Sequence, residues 1–125
     1  MNILAGVTSI LGFIAVLLGA FGAHGLQGST APEMVSLWQT AVQYQMFHVL
    51  ALLSVILISN RSYSFLWNIV GWLFATGVII FSGSLYLLVI TDIKVFGMIT
   101  PVGGGMLLTG WLLLSFCLIK PMAKL

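Results

Sequence analysis

The two histidines, His24 and His48, are the side chains best suited to chemistry in a sequence that carries only six formal charges. His48 lies in a run from Met34 to Ser59 that holds no Asp, Glu, Lys or Arg, 11 residues before its end, about 16 Å along a helix. An ionisable group that deep in an apolar span is a functional candidate. Tyr44 and Gln45, at i−4 and i−3, share its helical face and carry groups able to bond its ring. The plainer role is a neutral imidazole donating one hydrogen bond between helices. A proton, metal or cofactor role is the alternative.

His24 stands in Gly22-Ala23-His24-Gly25, where a first helix should end. A cation suits the negative end of a helix dipole, and Gly25 would take the left-handed cap position. The alternative is a metal set of His24, His48 and Glu33, although these three lack the i, i+4 spacing of a dedicated zinc motif. Ser82 and Tyr86 share a face in Phe81-Ser82-Gly83-Ser84-Leu85-Tyr86. Ser82 as a nucleophile would need a base oriented by a third group, and the apolar runs contain no carboxylate to orient one. Thr100-Pro101-Val102-Gly103-Gly104-Gly105 reads as a helix start, with Thr100 as N-cap and Pro101 in the first turn. Free amides there would hold an anion or a lipid phosphate; otherwise the glycines permit close helix packing. Cys117 is the single cysteine, so neither an internal disulfide nor a cysteine metal site follows from it.

These residues are positioned by strongly apolar elements. Of 125 residues, 61% are hydrophobic and 5% charged, far too few charges for the surface of a soluble domain, which carries about 25%. Four runs lack Asp, Glu, Lys and Arg: Ile3 to Gly22, Met34 to Ser59, Phe65 to Ile90 and Met98 to Ile119. Each reaches the roughly 20 helical residues needed to cross about 30 Å of hydrocarbon. The charges Glu33, Arg61, Asp92, Lys94, Lys120 and Lys124 all fall between or after the runs. The fold expected is all-α: a single membrane domain over residues 1 to 125, an up-down antiparallel bundle of four transmembrane helices at about 3–23, 31–59, 65–90 and 101–119. Arg61, Lys120 and Lys124 share a side with the N-terminus, against Lys94 opposite, which orients both termini toward the cytoplasm. The first run is expected to stay as a helix rather than be cleaved as a signal, since no Lys or Arg precedes it.

Further expectations concern the ends and faces of the helices. Ala5, Thr8, Gly12, Ala15, Gly19 and Gly22 form a small-residue seam along the first helix, suited to close approach by a neighbour. Thr30-Ala31-Pro32-Glu33 reads as a capping box with Thr30 as N-cap. Gln39, Gln43 and Gln45 are expected in the outer headgroup region, Trp38 at the outer interface, and Trp67 and Tyr63 at the inner one. Gly71 and Ala75 form a second small pair.

The strings Gly19-Ala20-Phe21-Gly22-Ala23-His24, Trp38-Gln39-Thr40-Ala41, Tyr44-Gln45-Met46-Phe47-His48, Phe81 to Tyr86, Thr100 to Gly104 and Gly110-Trp111 closely resemble a family of small bacterial inner-membrane proteins. This is the domain of unknown function 423, which is similar to the animal transmembrane protein 256. The resemblance spans essentially the whole chain. It implies a four-span protein of the bacterial inner membrane and brings no activity, cofactor or catalytic residue with it.

The functional expectation is a non-enzymatic bundle with a structural role, stabilising the membrane or a partner complex, with no cofactor and no metal. The alternative is a binder or carrier of a small molecule, lipid or proton. Its pocket would lie in the outer leaflet around His24, Trp38, Tyr44, Gln45, His48, Ser82, Tyr86, Thr100, Gly103 and Gly104. A metal or redox enzyme built on the two histidines is the third reading. Membrane lipid is the expected partner, small-residue helix faces offer a homo-oligomer contact, and nucleic acid is not expected, because the few cations flank spans.

Overall fold

The computed structural model describes residues 2–61 and 64–120. Four helices account for nearly all of them: α1 (Asn2–Phe21), α2 (Pro32–Ser59), α3 (Phe65–Thr91) and α4 (Val95–Ile119). All four are long and apolar enough to cross a membrane. The chain runs up and down as an antiparallel four-helix membrane bundle. Its outer surface is apolar: Ile3, Leu50, Phe65, Met98 and Ile119 are among many large side chains left exposed, as lipid rather than water requires.

The helices are not equally engaged. α3 packs against each of the other three, whereas α2 and α4 nowhere bring their Cα atoms within 8 Å of each other among the described residues. Two clusters fill the interior. The larger gathers Leu4, Leu11, Leu52, Val55, Trp67, Val70, Phe74, Val78, Leu107, Leu114 and Cys117. The smaller lies toward the α1–α2 and α3–α4 connections and holds Trp38, Ala41, Val42, Leu85 and Tyr86. Cys117 is thus a core residue.

The seam of α1 is used inside the molecule. A Cβ on Gly12 would touch Val49 at 3.4 Å, one on Gly19 would touch Val42 at 3.2 Å, and one on Gly22 would lie 2.5 Å from the Trp38 ring. Small residues therefore let α2 lie close along α1. Gly71 admits the Leu4 side chain, and Gly110 admits the Phe74 ring. At Gly103 the approach is backbone to backbone: an added Cβ would meet the Phe81 nitrogen and lie 2.8 Å from the Gly77 oxygen.

Several helix ends differ from those the sequence suggests. α1 passes into a π turn, Gly22–Leu26, that contains His24, and Gly28, not Gly25, takes the left-handed conformation at φ 88°. α2 begins at Pro32 with Ala31 as N-cap and no side-chain cap, so Thr30 and Glu33 do not form a capping box. A residue before proline is driven into extended backbone, so Ala31, at ψ 140°, is the residue that must stand outside the helix. Its carbonyl accepts from Met34 and Val35.

The largest difference is α4, which starts at Val95 and carries Pro101 in its interior. α3 ends where Asp92 turns left-handed at φ 55°, and the chain is helical again within three residues. Proline inside a helix withholds one amide from the carbonyl four residues back, a defect that membrane helices tolerate when side chains supply bonds nearby. That carbonyl is Gly97's; the Thr100 hydroxyl donates one residue earlier, to the Phe96 carbonyl, at 3.3 Å. Thr100 is therefore no N-cap. The amides of Gly103, Gly104 and Gly105 belong to the helix interior rather than an anion-binding start.

Candidate functional site

Two polar centres form around the middle of α2, on adjoining parts of its inward surface. The first joins α1, α2 and α3. Gln45 donates its carboxamide N–H to the Leu11 carbonyl at 2.8 Å and accepts the Tyr86 hydroxyl at 2.7 Å. Ser82 donates to the Ala41 carbonyl at 2.7 Å. Trp38 donates to the Leu18 carbonyl at 2.8 Å, and its ring lies 4.7 Å from that of Tyr86, centroid to centroid. All four side chains are buried. Gln45 is consequently not in a headgroup layer, because its amide bridges two neighbouring helices at the middle of the bundle. Trp38 and Trp67 are buried among the helices rather than turned outward. Trp38 can bury its polar N–H because it reaches a carbonyl of α1, through the space that Gly22 leaves. Tyr63 lies outside the described residues.

The second centre surrounds His48. Its Nδ1 lies 2.8 Å from the Tyr44 carbonyl, and the Trp111 indole donates to its Nε2 at 3.1 Å. A carbonyl only accepts and an indole N–H only donates, so the partners assign a neutral ring with its proton on Nδ1. Both nitrogens are then committed, leaving no lone pair for a metal ion while the Trp111 bond stands. Aromatic rings enclose the imidazole: Phe47, Phe74 and Trp111 present edges with centroids 5.4, 5.5 and 6.1 Å away. Trp111 makes this the bond that ties α2 to α4 across their wide separation.

That separation leaves a cleft of about 560 Å³ between α2 and α4, lined by Gln43, Tyr44, Phe47, His48, Phe81, Gly104, Leu107, Leu108 and Trp111. Tyr44 stacks on Phe81 with centroids 4.5 Å apart. Gly104 leaves the wall without a side chain at its position.

The residues expected to share one pocket are thus divided. Trp38, Gln45, Ser82 and Tyr86 hold α1, α2 and α3 together. Tyr44, His48 and Gly104 line the cleft. Thr100 pairs with Ser84 across α3 and α4, and Gly103 is the tight backbone contact nearby. His24 is exposed in the π turn and lines no part of this cleft. The Ser82 proton goes to a carbonyl, so the hydroxyl is not presented to a base. Among the described residues no three of His, Cys, Asp and Glu gather as a metal site, and Glu33, His24 and His48 stay apart.

Sequence reasoning missed Trp111 as the partner of His48, and Phe47, Phe81 and Leu107 as cleft walls. The only signal for Phe47, Phe81 and Trp111 was their place in the quoted strings, and Leu107 had none; apolar side chains in apolar helices carry no mark of which neighbour they face. Ser84 was legible as a hydroxyl three residues from Phe81, whose carbonyl it bonds at 2.9 Å.

Four apolar spans, a buried hydrogen-bond seam and a lateral aromatic cleft define a small helical integral membrane protein. The family model described as "Protein of unknown function (DUF423)" matches residues 18–104, and the chain belongs to this family. It is similar to a UPF0382 membrane protein of Staphylococcus aureus, 50% identical over 107 residues that cover 86% of this chain and 87% of the relative. A UPF0382 membrane protein of Staphylococcus haemolyticus is 44% identical, with 89% and 93% covered. The UPF0382 membrane protein YwdK of Bacillus subtilis is 38% identical, with 96% and 98% covered. No solved structure matches.

Proposed function

We propose that the protein works without catalysis, as a bundle that stabilises the cytoplasmic membrane of a bacterium or a complex within it. The carrying observation is how the polar side chains are used. Gln45, Tyr86, Ser82, Trp38 and His48 each bond across or along helices, and among the described residues no buried side-chain nitrogen or oxygen lacks a partner. Such bonds are the glue of membrane bundles. Bacterial relatives support the compartment. Arg61 and Lys120 at one end of the bundle, with Lys94 at the other, support cytoplasmic termini.

His48→Ala tests the reading, because it removes the tie between α2 and α4. The variant is expected to melt several degrees below the parent in mild detergent while native mass spectra of the two show the same bound species. A variant as stable as the parent that has lost a discrete ligand or metal contradicts the structural role.

A second reading is supported by the cleft: a binder or carrier of a membrane-soluble molecule, entering sideways between α2 and α4. In this reading Tyr44 and His48 on α2 and Gly104 on α4 are wall residues, and Gln45, Ser82 and Tyr86 hold α2 in place.

A further inference from the structure

Counted along their helices, the residues that line the cleft between α2 and α4 fall within the apolar spans, Gln43 included. Gln43 is 11 residues into α2 and Gly104 nine residues into α4, about 16 Å and 14 Å along their helices. The gap between the helices is its mouth, edged by the exposed Phe47 and Leu108. A molecule would enter from the lipid, not from water.

Four features of the walls describe what would fit. No lining residue is charged, and His48 has both nitrogens engaged, so the occupant is neutral. Tyr44 and Gln43 line this space, and neither the Tyr44 hydroxyl nor the Gln43 carboxamide enters a hydrogen bond with another described residue. In hydrocarbon each such group costs free energy until a partner arrives. An alkyl chain supplies none, whereas a carbonyl oxygen accepts from both. Ring surface is available as well: Tyr44, Phe47 and Trp111 remain 44%, 58% and 37% exposed, and the bond to His48 holds the indole in place. Aromatic faces of this kind favour a flat ring. The volume of about 560 Å³ falls within the range of ligand pockets, roughly 300 to 1,000 Å³.

We infer that the cleft binds a neutral, membrane-soluble ring compound of the quinone type, its carbonyl oxygens accepting from Tyr44 and Gln43 and its ring lying against Phe47 and Trp111. The inference rests on the second reading above, that of a binder. It assigns no electron transfer.

Two substitutions separate this site from the fold. A Cβ at residue 104 would lie 3.7 Å from the Phe81 ring, ordinary contact, so Gly104→Leu fills the cleft from an uncrowded position. Tyr44→Phe keeps the ring and removes the hydroxyl. The probe is decylubiquinone, added to the full chain in mild detergent and followed by native mass spectrometry and thermal shift, with 1-decanol as a chain lacking the ring. The parent is expected to bind one quinone per chain saturably, and decanol not to displace it. Gly104→Leu is expected to weaken binding more than roughly tenfold and Tyr44→Phe roughly fivefold to tenfold, the scale of one lost hydrogen bond, with the unliganded melting temperature little changed in Tyr44→Phe.

Quinone binding that is absent, or indifferent to both substitutions, overturns the inference. A phospholipid or a second copy of the chain that occupies the parent, leaves in Gly104→Leu and is not displaced by quinone also overturns it, although a lipid so held would keep the binder reading. If nothing bound depends on residue 104, the binder reading falls with it.

Discussion

At the scale of single residues, adjacent glycines of α4 have opposite tasks. Gly103 faces the α3 backbone, where an added Cβ would meet the Phe81 nitrogen, while at Gly104 the nearest atom is a ring carbon at 3.7 Å. Gly103→Ala should therefore destabilise the bundle by about 1 to 3 kcal/mol, as overpacking does, and Gly104→Ala should stay within about 0.5 kcal/mol of the parent. Unfolding of both variants in mixed micelles would distinguish them, and equal stabilities would contradict the close α3–α4 approach. The sequence marked His48 by depth and Tyr44 by spacing, since both follow from counting along one helix. It could not mark Trp111, because the residue of α4 that reaches His48 depends on how α3 sets the two helices apart. The division of Gly103 from Gly104 was hidden for the same reason: a helix phase has meaning only against a neighbour.

At the scale of elements, α1 and α2 meet through a seam that was visible in the spacing of Ala5, Thr8, Gly12, Ala15, Gly19 and Gly22. Its last member does the most specific task, leaving the space through which Trp38 reaches the Leu18 carbonyl. Gly22→Ala is expected to displace the indole, break that bond and cost about 1 to 3 kcal/mol, measurable as a lower midpoint of unfolding; an unchanged midpoint would show that the ring is not seated there. The spans themselves were legible because charge is excluded from hydrocarbon. Their ends were less so. Rules for helix starts in water place Pro101 at the beginning of α4, but helices in lipid tolerate an internal proline, and the helix extends back to Val95. At α2 the same residue type acts in the opposite sense: Pro32 fixes the start, and Ala31 displaces Thr30 as the boundary.

At the scale of the molecule, short connections predicted antiparallel neighbours but not how far the bundle would close. α3 serves as the spine, with α1 and α2 on one flank and α4 on the other, and the cleft is the space this leaves. A homo-oligomer through the α1 seam would compete with α2 for the same glycines, so any assembly would use the outward faces instead. The proposed orientation puts Lys94 outside and Arg61 inside. A cysteine placed at residue 94 in a Cys117→Ala background should react with a membrane-impermeant maleimide in intact cells, and one at residue 61 should react only after lysis; the reverse pattern would invert the topology.

Buried polar groups here bind helix to helix, and the Gln45–Tyr86 bond is the sharpest case, joining α2 to α3 while Gln45 also holds α1. A double-mutant cycle with Gln45→Leu, Tyr86→Phe and the pair, followed by unfolding in mixed micelles, measures it directly. Each single change is expected to destabilise, and the two to couple by about 0.6 to 1.7 kcal/mol, the range of interhelical bonds in membranes. Additive effects, or single variants as stable as the parent, would contradict it.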